Sequence, residues 1–446
     1  MPAMGFPGRA HRGHGPLLQQ PVAAPGTADA SLPLSPATSM TKKTTKSPAQ
    51  PPIEVDASRL APLGMTPQLF LRRYWQKRPL LIRNAFPGFV SPIEPGDLAG
   101  LACEEAALSR LISYDRATDG WSVRSGPFQE EEFPGMPDHD WTLLVQDVDK
   151  WDPDIAALLQ AFDFLPRWRI DDIMVSFAAT GGSVGAHVDQ YDVFLLQAHG
   201  HRRWQIDAGP KPPLGFRDDL ELKLLREFTP THEWVLGPGD MLYLPPGVPH
   251  HGVAEDPCLT FSVGMRAPSS AELIADYLDT LVAEADESTR YQDRDLAPPA
   301  DPNEIDATAM GRVVEALNAL RMNDPDRLGE WFGRFITTYR SAGEAAVPEQ
   351  SPSRIELEVA LDQGALLQRH PMTRMAWRRA AKGAMLFASG QALPMAIGDA
   401  RLLAAVEELD GALYQTLGEQ GRHAVFALVT SGHYVLPGTD DDDDDC

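Results

Sequence analysis

Two separate segments of the sequence carry side chains that could bind a metal ion. In an extended strand, residues i and i+2 share a face, so His187 and Asp189 would project together. A third ligand is offered by 242–250, where a Pro-Gly turn delivers a histidine onto the start of a strand. Two histidines and one carboxylate leave three adjacent coordination positions open, which is the arrangement of non-heme Fe(II) oxygenases. Zinc would bind the same ligands, but the sequence has no H-E-x-x-H segment of the kind found in zinc hydrolases.

Two adjacent histidines, His250 and His251, compete for the third coordination position. Successive strand residues point to opposite faces, so only one of them can reach the metal. Pro249 fixes the backbone directly before His250. Composition alone does not decide between the two histidines.

A pair of arginines follows the first metal-binding segment. An iron oxygenase of this type needs a two-electron co-substrate, and a dicarboxylate would require a fixed cation on a neighbouring strand. The hairpin at 200–204 carries Arg202 and Arg203, which would point to opposite sides of a strand. We expect one of them to face the barrel interior and the other to face solvent.

The elements that would position these groups are short β-rich runs separated by Gly- and Pro-rich turns. This pattern predicts an antiparallel barrel or a double-sheet sandwich. The runs are Ile173–Phe177, Val188–Gln197, Arg203–Ile206, Trp234–Leu236, Met241–Leu244 and Leu259–Val263. Upstream, Thr66-Pro67 predicts the start of a helix and of the folded part, and Leu80–Ile82 predicts a buried strand.

Helical periodicity replaces the β pattern after residue 268. Ser269 and Glu272 form a capping-box pair, and Asp324-Pro325 begins another helix. Both helices carry apolar stripes that favour core packing and a dimer interface about equally. The stripe after Ser269 consists of Ile274, Leu278, Leu281 and Val282. The stripe after Asp324 consists of Trp331, Phe332, Phe335, Ile336 and Tyr339. From about 352 to 436, three helices and two hairpins, Met375–Phe387 and Val425–Val435, suit a small winged-helix domain.

Composition narrows the classes of partner and compartment. The net charge is −24, and the run Asp440–Asp445 directly precedes the last residue, Cys446. Such acidity does not favour direct nucleic-acid binding, but it favours a basic protein or peptide. The sequence contains no run of 18 apolar residues, so it predicts no membrane span. Three cysteines without a C-x-x-C pair indicate a reducing, cytoplasmic setting.

The first 58 residues are rich in Pro, Ala, Ser, Thr and Gly, which predicts a disordered leader. Met40 offers a second start besides Met1.

The strings H-V-D-Q-Y-D-V-F-L-L-Q, G-H-R-R-W and G-D-M-L-Y-L-P-P-G-V-P-H-H-G resemble the bacterial JmjC-type ribosomal oxygenases, which are cupin-superfamily arginine hydroxylases. The resemblance covers nearly 370 residues, from about Phe70 onwards. It implies a mixed α+β fold with a double-stranded β-helix (JmjC/cupin jelly roll) core, a helical dimerisation region and a C-terminal winged-helix domain. It also implies an Fe(II)- and 2-oxoglutarate-dependent dioxygenase that hydroxylates an arginine of a basic large-subunit ribosomal protein.

The resemblance assigns roles to individual residues. His187, Asp189 and His250 would be the metal ligands and the catalytic centre, and Arg202 would bind the 2-oxoglutarate carboxylate. Asp172, Met174 and Tyr191 would hold the substrate arginine. Ala178 departs from the family pattern, where a hydroxyl can contact the co-substrate, and Ser176 or Thr180 would have to compensate.

The predicted domains are a leader (1–58), a catalytic domain (59–268), a helical dimerisation region (269–345), a winged-helix-like domain (346–438) and an acidic tail (439–446). Three alternatives remain at this point. The chain could act on a histidine of a ribosomal protein, act on a small molecule, or be a catalytically silent binding module.

Overall fold

The computed structural model describes residues 51–220, 222–286, 288, 290–298, 301–319, 324–340, 343 and 345–436. Most of the predicted leader and all of the acidic tail lie outside these residues. The elements up to residue 265 are β1 (Glu54–Asp56), α1 (Pro67–Arg73), β2 (Leu80–Arg83), α2 (Pro95–Leu101), β3 (Ser109–Asp115), β4 (Gly120–Ser125), β5 (Trp141–Val145), α3 (Pro153–Ala157), β6 (Ile170–Ala178), β7 (Val193–His199), β8 (Arg202–Ile206), β9 (His232–Leu236), β10 (Met241–Leu244), β11 (His250–Ala254) and β12 (Cys258–Met265). Short 3-10 helices occupy Glu130–Gly135, Val148–Lys150, Leu158–Phe162 and Arg167–Arg169.

The remaining elements are mostly helical, with short strands between them. They are α4 (Ser270–Glu284), α5 (Ala307–Ala319), α6 (Pro325–Thr338), α7 (Arg354–Asp362), β13 (Leu367–Arg369), β14 (Met375–Arg379), β15 (Ala384–Ala388), β16 (Gln391–Met395), α8 (Ile397–Ala405), β17 (Glu408–Leu409), α9 (Gly411–Thr416), α10 (Glu419–Thr430) and β18 (Tyr434–Val435).

Two sheets form the centre of the fold. Among the described residues, the large sheet has the order β1-β2-β10-β7-β12-β6-β5-β3-β4, and the small sheet has the order β11-β8-β9. All neighbours are antiparallel except β1 and β2. Buried side chains of β7 and β10 pack against Trp204 and Ile206 of β8 between the two sheets. The alternate residues of β7 and β10 belong to a larger hydrophobic cluster on the other face of the large sheet, together with Phe70 of α1. The predicted double-stranded β-helix core is confirmed.

The folded part begins earlier than the sequence pattern predicts. Glu54–Asp56 forms β1, which pairs in parallel with β2 at the edge of the large sheet. The predicted start of folding near Thr66 and the leader boundary at residue 58 are therefore wrong by several residues. A strand of three residues is too short to show a periodic pattern.

Two hairpins were predicted in the C-terminal region, and one of them is present in the structure. β14 and β15 pair around Gly383, as expected for Met375–Phe387. The hairpin predicted for Val425–Val435 is wrong, because 419–430 is the helix α10. The buried residues of α10 recur with helical spacing. They are Gly421, Ala424, Val425, Leu428 and Val429. The region also holds four helices, α7 to α10, rather than three.

The two apolar stripes have different environments. The stripe on α6 packs within the chain, since Phe335, Ile336 and Tyr339 are buried together with Trp168 against them. On α4, by contrast, Leu281 is buried, whereas Ile274, Leu278 and Val282 are 59%, 39% and 72% exposed. The capping box at Ser269 is confirmed. Core packing therefore explains the α6 stripe but leaves most of the α4 stripe uncovered.

Candidate active site

The three predicted metal ligands lie together where the segment of His187 meets the start of β11. His187 lies outside the named strands, in an isolated antiparallel bridge to His250, so the predicted strand from Val188 begins only at Val193. Each of these histidines donates its backbone N–H to the carbonyl of the other, at 3.0 Å. The backbone N–H of Gly247 donates to the carbonyl of Asp189 at 2.8 Å. These bonds hold the two distant segments side by side.

The side chains of this trio fit a metal ion. One ligand atom from each of His187, Asp189 and His250 lies within 4.8 Å of the others. Nδ1 of His187 lies 2.9 Å from the carbonyl of Gly185, and Nδ1 of His250 lies 3.0 Å from the carbonyl of Val248. A carbonyl only accepts, so Nδ1 of each ring carries a proton, and Nε2 is the nitrogen of each ring that can bind a metal.

The charge state of His250 also suits a ligand. Burial, followed by the neighbouring His187, lowers the pKa of His250 to about 4. The imidazole is therefore neutral near pH 7, as metal binding requires. Its Nε2 lies 3.6 Å from Oδ2 of Asp189. Two imidazoles beside one carboxyl group match the donor set of non-heme Fe(II) sites.

The adjacent His251 lies elsewhere. Its ring packs edge-on against Phe228, with centroids 6.1 Å apart, and it does not line the cavity that contains His250. The two histidines therefore lie on opposite sides of β11.

The two arginines on β8 likewise lie on opposite sides of their strand. Arg202 is 2% exposed and lines the cavity of the metal-binding trio. Its Nη2 donates to the carbonyl of Gly252 at 3.3 Å, and among the described residues no carboxylate pairs with it. Burial lowers the pKa of the Arg202 guanidinium. Arg203 lies on the outer side and forms ion pairs with Glu233 and Glu255, both at 2.6 Å.

Hydroxyl groups line the same cavity. Ser176 on β6 lies there, and its Oγ donates to the carbonyl of Thr260 at 3.4 Å. Thr180 is exposed and does not line the cavity, and Ala178 is buried against Cys258 and Ala254. Thr260 and Ser262 of β12 also face the cavity, which the sequence reasoning missed. Their alternation with apolar residues in β12 was the available signal.

A second group of side chains, at another part of the cavity wall, includes all three predicted substrate-binding residues. Asp172, Met174 and Tyr191 line the cavity, whose volume is about 610 Å³. Oδ2 of Asp172 accepts a hydrogen bond from the backbone N–H of Asp147 at 3.1 Å. Burial raises the pKa of Asp172 to about 7, helped by the negative charges of Asp147 and Asp171.

The sequence reasoning missed seven further charged residues that line the cavity. They are Arg110, Asp147, Asp171, Lys223, Arg266, Arg340 and Arg374. Asp171 accepts from Nε of Arg266 at 3.1 Å and from Nη2 of Arg374 at 3.0 Å. Asp147 is only 8% exposed, and its carboxylate lies 4.0 Å from Nη2 of Arg374. Arg374 comes from the turn before β14, so the C-terminal region contributes to this cavity.

Known proteins match this fold and this site. Residues 157–273 match the family model of the JmjC domain, and residues 319–435 match that of the ROXA-like winged helix. The chain is 40% identical over 308 residues to the ribosomal protein uL16 3-hydroxylase of Escherichia coli, covering 67% of this chain and 79% of that protein. It is 44% identical over 214 residues to a probable ribosomal oxygenase of Haemophilus influenzae, covering 48% of this chain and 52% of that protein.

A solved structure supports the same relationship over nearly the whole described chain. The ribosomal oxygenase YcfD of Escherichia coli, in complex with cobalt and 2-oxoglutarate, aligns with a TM-score of 0.73 at 34% identity. The alignment covers 84% of this chain and 99% of that one. The fold and the two-histidine, one-carboxylate site define a JmjC-type cupin protein. Within that class, the chain belongs to the ribosomal oxygenase family. None of the helices in the described residues has the length and hydrophobicity that crossing a membrane requires.

Proposed function

We propose that this chain is an Fe(II)- and 2-oxoglutarate-dependent hydroxylase of an arginine side chain in a basic protein of the large ribosomal subunit. The observation that carries the proposal is the buried, carboxylate-free Arg202 in the same cavity as His187, Asp189 and His250. A buried cation without a counter-ion is costly, so this wall is suited to a ligand carboxylate. The first candidate substrate is uL16, the protein named for the relative in Escherichia coli.

Each part of the cavity has a separate task in this proposal. His187, Asp189 and His250 would hold Fe(II), which supplies oxidative decarboxylation of 2-oxoglutarate coupled to insertion of oxygen into a C–H bond. The carbonyls of Gly185 and Val248 orient the two imidazoles through their Nδ1 protons. Arg202 would bind the 2-oxoglutarate carboxylate, with the Ser176 hydroxyl on the same wall.

The part of the cavity that contains Asp147, Asp171 and Asp172, called here the acidic wall, supports arginine as the substrate side chain. Asp172 offers a carboxylate for a guanidinium, while Met174 and Tyr191 offer apolar surface for its aliphatic stem. A histidine side chain has no such stem and at most two N–H donors, so the same wall suits it less well. The net charge of −24 would also attract a basic ribosomal protein.

A direct test uses ribosomal proteins from cells with and without this enzyme. We expect one large-subunit protein to gain about 16 Da at a single arginine only when the enzyme is present, because one oxygen atom is inserted. In vitro, purified enzyme should convert 2-oxoglutarate to succinate only with Fe(II) and oxygen. A mass gain on histidine would favour the histidyl alternative, and failure of both reactions would favour a silent binding module.

We also propose a homodimer in which a second copy covers the exposed apolar faces of α4 and α5. On α5, Met310, Val313, Val314 and Leu317 are between 38% and 53% exposed. A matched pair of variants tests this proposal by light scattering. Ile274→Asp should convert dimer to monomer, and Asp279→Asn, on an exposed polar position of the same helix, should remain dimeric. A wild-type monomer would contradict the proposal.

The proposed substrate would place the enzyme in the cytoplasm, where ribosomal proteins are made in bacteria. Imaging of a fluorescent fusion would test this location.

A further inference from the structure

Two buried N–H groups in the cavity wall have no hydrogen-bond partner. They are Nε of Arg202 and Nε1 of Trp204, and no described atom accepts from either. The two residues are 2% and 4% exposed, and both line the cavity that contains His187, Asp189 and His250. A buried donor without an acceptor destabilises a protein, so an acceptor is expected from something that enters the cavity.

The position of the Trp204 ring leaves its N–H free of the neighbouring backbone. Trp204 lies directly opposite Gly252 in the pairing of β8 with β11. A Cβ added at Gly252 would come within 2.8 Å of both Cη2 and Cζ3 of Trp204 and within 2.7 Å of Nε of Arg202. The outer edge of the six-membered ring therefore lies against Gly252. Nε1 belongs to the five-membered ring at the other end of the indole, so it is turned away from this residue.

The positive charge of Arg202 indicates which class of ligand could accept hydrogen bonds from these two N–H groups. The guanidinium of Arg202 lies 5.1 Å from the centre of the Trp204 ring, and among the described residues no carboxylate pairs with it. The Trp204 ring is also 5.9 Å from the ring of His250. An anion bound to Arg202 would therefore lie beside the indole and close to the metal-binding trio. A carboxylate has two oxygens that can accept from both side chains.

We propose that the indole N–H of Trp204 is a second donor to the 2-oxoglutarate carboxylate that Arg202 binds. The inference rests on the proposed function and deepens it. Arg202 supplies charge and Trp204 supplies a directed neutral donor. Gly252 is the positioning residue that allows both side chains to lie against β11.

Binding of 2-oxoglutarate, measured without turnover, tests the role of Trp204. The probe is 2-oxoglutarate added to the full chain loaded with Zn(II), and the dissociation constant is obtained by calorimetry. Trp204→Phe keeps an aromatic ring and removes the N–H, so we expect an increase of about tenfold in the dissociation constant. The control is Trp234→Phe, because Trp234 is the cross-strand neighbour of Trp204 on β9 and does not line the cavity. Its dissociation constant should stay within about twofold of wild type.

The indole N–H signal in the wild-type protein provides a second readout that needs no variant to fold. In chain labelled with 15N-tryptophan, the signal of Trp204 can be assigned by its contacts with the His250 ring. We expect this signal to move downfield on addition of 2-oxoglutarate, while that of Trp234 does not move.

The outcomes separate this inference from the proposed function. If wild-type protein binds 2-oxoglutarate but the Trp204 signal does not move and Trp204→Phe binds normally, the inference is overturned and the proposed function stands. If wild-type protein does not bind 2-oxoglutarate at all, both are overturned.

Discussion

The two walls of the cavity are built in different ways. The metal-binding wall comes from two short segments, and backbone hydrogen bonds between His187 and His250 hold them in register. The acidic wall gathers side chains from distant parts of the chain, including Asp147 after β5, Asp171 on β6 and Arg374 before β14. Local backbone geometry thus determines the first wall, whereas the second depends on how the C-terminal region packs against the β core. Changes to the first wall should therefore have the larger effects.

The largest effect is expected at the third metal ligand. His250→Ala should eliminate Fe(II) binding and turnover, because it removes one of three donors, while the apolar core keeps the barrel folded. The matched variant His251→Ala should retain at least partial activity, since His251 lies on the other side of β11. Metal content by atomic absorption and succinate formation are the measurements. The reverse result for the two histidines would mean that the strand register is shifted by one residue.

A somewhat smaller effect is expected from the neighbouring arginine. Arg202→Ala should raise the KM for 2-oxoglutarate about 100-fold, because losing one partner of a buried charge pair costs about 3 kcal/mol. Arg203→Ala is the matched control on the next position of β8. Its side chain pairs with Glu233 and Glu255 on the surface, so the KM should change little. Equal effects of the two variants would contradict the difference between the inner and outer sides of β8.

The acidic wall should respond to pH in a way that the metal-binding wall does not. Asp172, with a pKa of about 7, is protonated below that pH and can pair with a guanidinium only above it. The KM for the arginine substrate should therefore fall between pH 6 and pH 8, by up to about tenfold per pH unit below the pKa. The KM for 2-oxoglutarate serves as the internal control.

Protein stability should decrease over the rise in pH that strengthens substrate binding. The folded-state pKa of Asp172 lies above its ordinary value of 3.8, so the folded state holds a proton that the unfolded state has lost. This contribution to the free energy of unfolding is lost progressively as the pH rises from 3.8 to about 7. Asp172→Asn should remove both trends. A pH profile for the substrate KM that is unchanged in Asp172→Asn would show that another group is responsible.

Regular patterns made much of the β core predictable from the sequence. Met241–Leu244 coincides with β10 because turn residues bound it on both sides. β1 was missed because three residues at a sheet edge show no period. α10 was mistaken for part of a hairpin because Ser431-Gly432 is a typical turn pair, although helical spacing and burial govern the segment before it.

The candidate site shows the same limit. His187 and Asp189 are two residues apart, so an extended backbone predicts that they lie close together, although neither belongs to a named strand of the structure. Asp171 and Arg374 are 203 residues apart and meet only in the folded chain. Nothing in the local pattern around Arg374 indicates that it would line the cavity of the β core.

The smallest effect is expected from a change at Arg374, which tests whether its charge influences the pKa of Asp172. Arg374 donates to Asp171 at 3.0 Å and to the carbonyl of Tyr339 at 2.7 Å, and it lies 4.0 Å from Asp147. In Arg374→Gln, both carboxylates would lose a nearby positive charge, so more negative charge would surround Asp172. Proton binding to Asp172 would become more favourable, and the midpoint of the pH profile for the substrate KM should rise by roughly half a pH unit. The control is Arg378→Gln on β14, because Arg378 pairs with Asp326 and does not line the cavity. A downward shift, or an equal shift in both variants, would mean that Arg374 does not act on Asp172 through its charge.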